Sequence, residues 1–143
     1  MAATADTIRT LGQQAPRFRL ADPDGKVTAI EDYAEARGLV VAFLCKHCPY
    51  VQHVQQAFAG FADEYRARGI FVVAINSNDV TRSPEDAPQF MTRQAQQAGF
   101  NFPYLIDDSQ DVARAYGAQC TPDFFLFDAQ RRLVYHGEFD ASR

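Results

Sequence analysis

The sequence predicts one α/β domain with a mixed central sheet flanked by helices. Three observations carry that prediction. Two continuous apolar runs bracket a strongly amphipathic segment, two further apolar runs near the end face each other across a short polar turn, and Gly or Pro marks most of the boundaries between them. A length of 143 residues fits a single compact domain. With 47% hydrophobic and 22% charged residues the chain has an ordered, globular composition. A net charge of −4 argues against nucleic acid or an anionic membrane as the main partner. Met1 to Gln14 lacks the pattern of a secretory signal, and the longest apolar run, Leu39 to Cys45, is too short to cross a bilayer. A cytoplasmic protein is expected.

Residues 1–14 read as a loose arm and 15–143 as the single domain. Phe18, Leu20, Val27 and Ile30 alternate around Asp22-Pro23-Asp24-Gly25, which predicts an N-terminal hairpin. Glu31 to Ala36 reads as a helical turn ended by Gly38. Leu39 to Leu44 has no polar member, as in a strand buried on both faces. Val51, Val54, Phe58, Phe61 and Tyr65 then fall at spacings of three and four, one stripe of a helix that Gly69 stops. Ile70 to Ile75 is a second buried strand, so the three elements form a βαβ unit with a parallel pair. Asn76 to Asp79 is a polar loop. A helix through Phe90, Met91 and Ala98 is capped by Gly99; an extended piece follows at Phe102 to Ile106, and a short helix at Gln110 to Tyr116. Phe124 to Phe127 and Leu133 to His136 predict a terminal hairpin across Asp128 to Arg131.

The chemistry concentrates in Cys45-Lys46-His47-Cys48-Pro49, between the buried strand and the long helix. Three cysteines make a poor disulfide framework, because one must stay free or pair elsewhere. Pro49 suits the first helical position, which puts Cys48 at or beside the N-cap. There the unsatisfied N–H groups and the positive end of the helix dipole favour a thiolate, as do Lys46 and a protonated His47. Such a thiolate is both nucleophile and leaving group. Cys45, near the strand end, is a candidate resolving partner. Each cysteine has a plainer reading too: Cys48 as an inert thiol, Cys45 and Cys120 as packing residues. A metal reading would draw on Cys45, Cys48, His53 and His47 or Cys120. It lacks the second ligand pair usual in structural zinc sites, so no metal or other cofactor is expected. His136 reads as an ordinary exposed strand residue.

Gln119-Cys120-Thr121-Pro122 directly precedes an aromatic strand, and Thr-Pro at such a place is a candidate cis peptide. With these residues on the page, the chain resembles the thioredoxin-fold redoxins, and within them the peroxiredoxin-like branch of the alkyl hydroperoxide reductase/thiol-specific antioxidant (AhpC/TSA) family. The matching stretches are Ala15–Ile30, Val40–Val51, Phe71–Asp79 and Tyr116–Asp128. The resemblance implies a thioredoxin-like fold with an N-terminal hairpin extension, in which the Thr121-Pro122 turn faces the active cysteine and shapes the substrate surface. It also implies that Cys120 lies near Cys48.

Departures from the family are informative. Cys48 falls where thioredoxins carry their first cysteine, Val51 replaces the second, and His47 stands in place of their tryptophan. Against the peroxidases of the same fold, Cys48-Pro49 matches the peroxidatic Cys-Pro. Their accompanying Thr, Pro and Arg, however, correspond to Cys45, Val41 and Pro122. The expected function is therefore thiol–disulfide exchange by Cys48, with Cys45 or Cys120 resolving and with Thr121, Pro122, His47 and Pro49 at the substrate surface. The alternatives are a thiol peroxidase forming a Cys48 sulfenic acid, and a non-enzymatic interaction or metal-binding module. Expected partners are a protein disulfide or hydroperoxide and a cellular thiol reductant; a homodimer is compatible with the sequence. Redoxins of this fold normally end in a helix after the last strand, and no such helix is legible before Arg143. Either the chain lacks it or the sequence stops short of it.

Overall fold

The computed structural model describes residues 11–44, 49–77, 87–118 and 122–137. β1 (Arg19–Ala21) and β2 (Val27–Ala29) form the N-terminal hairpin. Its turn is made by Asp22, whose Oδ1 accepts the N–H groups of Asp24 and Lys26, both at 2.9 Å. A turn of 3-10 helix at Ile30–Tyr33 leads into β3 (Gly38–Phe43). Then follow α1 (Pro49–Arg66), β4 (Ile70–Asn76), α2 (Pro88–Ala98), β5 (Tyr104–Ile106), α3 (Asp111–Tyr116), β6 (Asp123–Phe127) and β7 (Leu133–Gly137). The strands make one sheet in the order β2-β1-β5-β4-β3-β6-β7. β3, β4 and β5 run parallel and the remaining pairings are antiparallel, which is the expected mixed sheet.

β3 has no polar residue because both of its faces are covered. Leu39, Val41 and Phe43 join a core with Val73, Ile75, Leu105, Tyr116, Phe125 and Phe127. Val40, Ala42 and Leu44 join the opposite one with Phe58 and Ala62 of α1, Met91 of α2, and Phe124. Ala42 and Ala74 are register partners on that second face, and their small side chains leave room for the Phe58 ring. Burial of each large apolar side chain contributes roughly 1.5–3 kcal/mol, so this central strand anchors both layers. α1 is followed by Gly69 at φ +86°; a Cβ there would sit 2.9 Å from Arg37 Cδ.

One sequence reading changes. The described end of the arm, residues 11–14, is not loose. The Gly12 N–H donates to Leu133 O at 2.7 Å, the Leu133 N–H donates to Gln13 O at 2.9 Å, and Gln14 bridges Arg132. Tyr135 on β7 is 47% exposed. It edges an apolar groove of about 150 Å³ formed with Val40, Phe58, Phe61, Phe124 and Leu126, on the face that carries α1.

The β6–β7 turn is held by Arg131, which adopts φ +63°. Its guanidinium donates to the carbonyls of Asp128 (2.7 Å), Ala36 (3.3 Å) and Tyr33, tying the turn to the segment before β3. Burial lowers its proton affinity, an effect that the Asp128 carboxylate opposes.

Candidate functional site

Cys45, Lys46, His47, Cys48, Cys120 and Thr121 lie outside the described residues, as do the side chains of Pro49 and His53. The structure gives the frame on either side of them. Leu44 extends the ladder one residue past β3, its N–H donating to Ile75 O at 2.9 Å, and α1 opens at Pro49. The four positions 45–48 therefore connect the carboxyl end of β3 to the amino end of α1. Buried Pro122 immediately precedes Asp123, the register partner of Phe43. Antiparallel partners have Cα atoms about 4.5–5.5 Å apart. The described flanks of the two cysteine-bearing segments thus meet at the same end of neighbouring strands.

α1 directs the positive end of its dipole toward this region. It has 18 residues and no acidic residue in its first turn. A carboxylate there would compensate the dipole; without one, the free N–H groups favour an anion at the preceding position.

The strands that run parallel to β3, β4 beside it and β5 beyond, end on the same side with a polar cluster. Asp107, 2% exposed, accepts the Ser77 hydroxyl at 2.7 Å and the Ala113 and Val112 N–H groups at 2.9 and 3.3 Å. It thereby caps α3, whose first amides have no partner within the helix. Gln110, at φ +65°, donates from Nε2 to Ser77 O at 2.7 Å. The loop singled out in the sequence, Asn76 to Asp79, contributes Asn76 and Ser77 here; Asn78 and Asp79 lie outside the described residues.

A second polar pair was not legible in the sequence. Asp123 is 9% exposed, and its Oδ1 lies 2.7 Å from Nε2 of His136 on β7. The His136 ring stacks on Phe125 with centroids 4.1 Å apart and planes 11° from parallel. His136 is exposed, as its strand position suggested, and is in addition held by Asp123 and Phe125. The available signal was an acid opening an otherwise aromatic strand directly after Thr-Pro.

Tyr116 closes the α3 side of this end. Its ring packs against Phe43, Phe125 and Phe127, and its hydroxyl donates to Pro16 O at 2.8 Å. Burial holds its phenol far above the usual range. Burial, with the neighbouring Asp32 carboxylate, raises Tyr33 to about 12. Among the described residues no group of three His, Cys, Asp or Glu side chains is set to hold a metal ion.

Comparison with known proteins agrees with this frame. The chain is 28% identical over 128 residues to the thiol-disulfide oxidoreductase ResA of Halalkalibacterium halodurans, a match covering 90% of this chain and 68% of ResA. It is 46% identical to a hypothetical protein, SMc02350, from Sinorhizobium meliloti, whose crystal structure superposes with a TM-score of 0.92 over 96% of this chain and 75% of that one. The thioredoxin domain of a Bacteroides vulgatus thiol-disulfide oxidoreductase superposes with a TM-score of 0.76 at 14% identity, over 90% of this chain and 89% of that one, a likeness of fold. The AhpC/TSA family model matches residues 11–136, nearly the whole described sheet, and with its thioredoxin fold this chain belongs to the AhpC/TSA family.

Proposed function

We propose that the protein is a thiol–disulfide oxidoreductase acting through Cys48. The observation that carries this reading is the 18-residue α1, which opens one residue after Cys48 with no first-turn acid to neutralise its dipole. The identity to ResA, itself named for this activity, supports it.

In this mechanism the Cys48 thiolate attacks one sulfur of a protein disulfide. A mixed disulfide forms as the substrate S–S bond breaks, and the departing substrate thiolate takes a proton. Cys45 or Cys120 then attacks the Cys48 sulfur and releases the second substrate thiol. The substrate has gained two electrons and this chain has lost two, leaving an internal disulfide that a cellular thiol reductant returns to thiols. Thr121, Pro122, His47 and Pro49 border the cysteine in this reading, and the compartment is the cytoplasm.

Insulin reduction by dithiothreitol tests it. The protein should accelerate precipitation of the insulin B chain, and Cys48→Ser should abolish the acceleration. Cys45→Ser and Cys120→Ser tell which thiol resolves, because loss of the resolving thiol traps the mixed disulfide. Equal rates with and without Cys48 would sink the reading, whereas fast consumption of micromolar hydroperoxide would favour the peroxidase alternative.

A further inference from the structure

A cavity of about 200 Å³ opens where the β1–β2 turn meets α2 and the start of β5. Met91 and Tyr104, both buried, line its inner side. Phe100 and Phe102 add aromatic walls, their rings stacked with centroids 4.6 Å apart. Ala95 lies one helical turn from Met91 on the same face of α2, and its single methyl leaves the space open. The turn contributes Asp22 and Asp24.

Among the described residues the lining thus holds two carboxylates and no lysine or arginine. Asp22 uses Oδ1 to accept two amides of its own turn. No described residue donates to its Oδ2 or to the Asp24 carboxylate. The nearby cations are turned elsewhere. Arg93 of α2 lies 5.6 Å over the Phe90 ring, and Arg66 donates to Asn101 O and pairs with Asp63. Lys26, on the same turn, is exposed and is not part of the lining.

Acids on a surface turn are ordinarily just solvated. Here they border an aromatic-walled cavity, and the combination selects a ligand with an apolar stem and a cationic head. Arginine matches best, because its planar guanidinium stacks on aromatic faces and forks onto carboxylates. The size is that of one side chain, since drug-sized ligands occupy pockets of about 300–1,000 Å³.

We propose that this cavity is a docking site for an arginine side chain presented by a partner protein. The site goes beyond the thiol–disulfide reading and does not rest on it. It surrounds the start of β5, at the opposite end of that strand from Asp107 and its polar cluster. A partner anchored here is held away from the carboxyl ends of the parallel strands.

The test is an amide NMR titration of the full chain with the capped peptide acetyl-Ala-Arg-Ala-amide. A second peptide carries citrulline, the neutral isostere, in place of arginine. The arginine peptide should give saturable shifts at the amides of Met91, Ala95, Phe100 and Phe102. The citrulline peptide should bind about three- to thirtyfold more weakly, having lost both the ion pair and the cation–π contact. Asp24→Asn should weaken the arginine peptide about two- to fivefold and leave the citrulline peptide unchanged. Phe100→Leu keeps an apolar wall without the ring and should cost about two- to fivefold. Ala95→Leu fills the cavity with a good helix former and should abolish the shifts. Asp24 is exposed and its carboxylate binds no described residue, so Asp24→Asn keeps the fold even where Ala95→Leu does not. Equal binding of the two peptides, no saturable shift at these amides, or indifference to Asp24→Asn would overturn the proposal. No thiol enters the readout, so a failed insulin assay leaves the docking site standing, and its own failure leaves the exchange reading standing.

Discussion

Replacing Asp107 by Ala removes the acceptor that joins three parts of the site frame. Its carboxylate takes the Ser77 hydroxyl at the end of β4 and two amides at the start of α3, and it is 2% exposed. Loss of a helix cap costs about 1 kcal/mol, within a range of about 0.5–2. Loss of a hydrogen bond to a charged group costs about 1.5–3 kcal/mol. Local relaxation recovers part of that, so a total of about 2–4 kcal/mol is expected. Unfolding entropy of about 2.1 cal/mol/K per residue turns 3 kcal/mol into a fall in Tm of about 10 °C for a chain of this size. Urea melts of Asp107→Ala, Ser77→Ala and the double variant give the coupling directly, and a coupling above about 1 kcal/mol is expected. Hydrogen exchange should quicken at Val112 and Ala113 more than at residues of β3. A loss below about 0.5 kcal/mol, or protection unchanged at those amides, would show that α3 does not depend on Asp107.

Alkaline stability is set partly by Tyr116. Its phenol stays protonated in the folded state, whereas an unfolded tyrosine ionises near pH 10. Its contribution is thus whole below about pH 10 and falls above it, with a slope approaching about 1.4 kcal/mol per pH unit. Tyr116→Phe should flatten that slope by one proton in urea melts between pH 10 and 12; Tyr33, raised to about 12, contributes in the same direction. At the β6–β7 turn, Arg131→Ala loses three carbonyl contacts and keeps an unfavourable φ. Arg131→Gly loses the same contacts and relieves the backbone, so it should be the more stable of the two by about 1 kcal/mol in thermal melts. Gly69→Ala should destabilise by at least about 1 kcal/mol, because φ +86° and the Arg37 side chain both oppose a Cβ.

The elements were legible wherever one physical rule governed them. β3 and β4 read as strands because burial on both faces leaves no polar position, and α1 because its partner surface lies on one side only. Gly69 and Gly99 marked helix ends because both backbones take positive φ. Cys45-Lys46-His47-Cys48-Pro49 and Thr121-Pro122 stand out in the sequence because helix-start chemistry and a proline turn are local signals, and of these residues the structure describes Pro122 and the backbone of Pro49. Asp123–His136 and Asp107–Ser77 were not, because each joins residues 13 and 30 positions apart. Their meaning comes from register and crossover, which no local pattern contains. Gln14 through the main-chain ties around it joins β7 for the same reason.

The connection between Leu44 and Pro49 has ends that belong to different structures. Leu44 is locked into the ladder by Ile75, while Pro49 begins a helix whose Phe58 and Ala62 are seated in the core. Sliding either end by one residue would turn a strand face inside out or rotate the helix by about 100°, exposing what is now buried. The two ends are thus held by separate cores, β3 through its ladder and α1 through its buried stripe, so the registers of strand and helix do not depend on the chemistry carried between them.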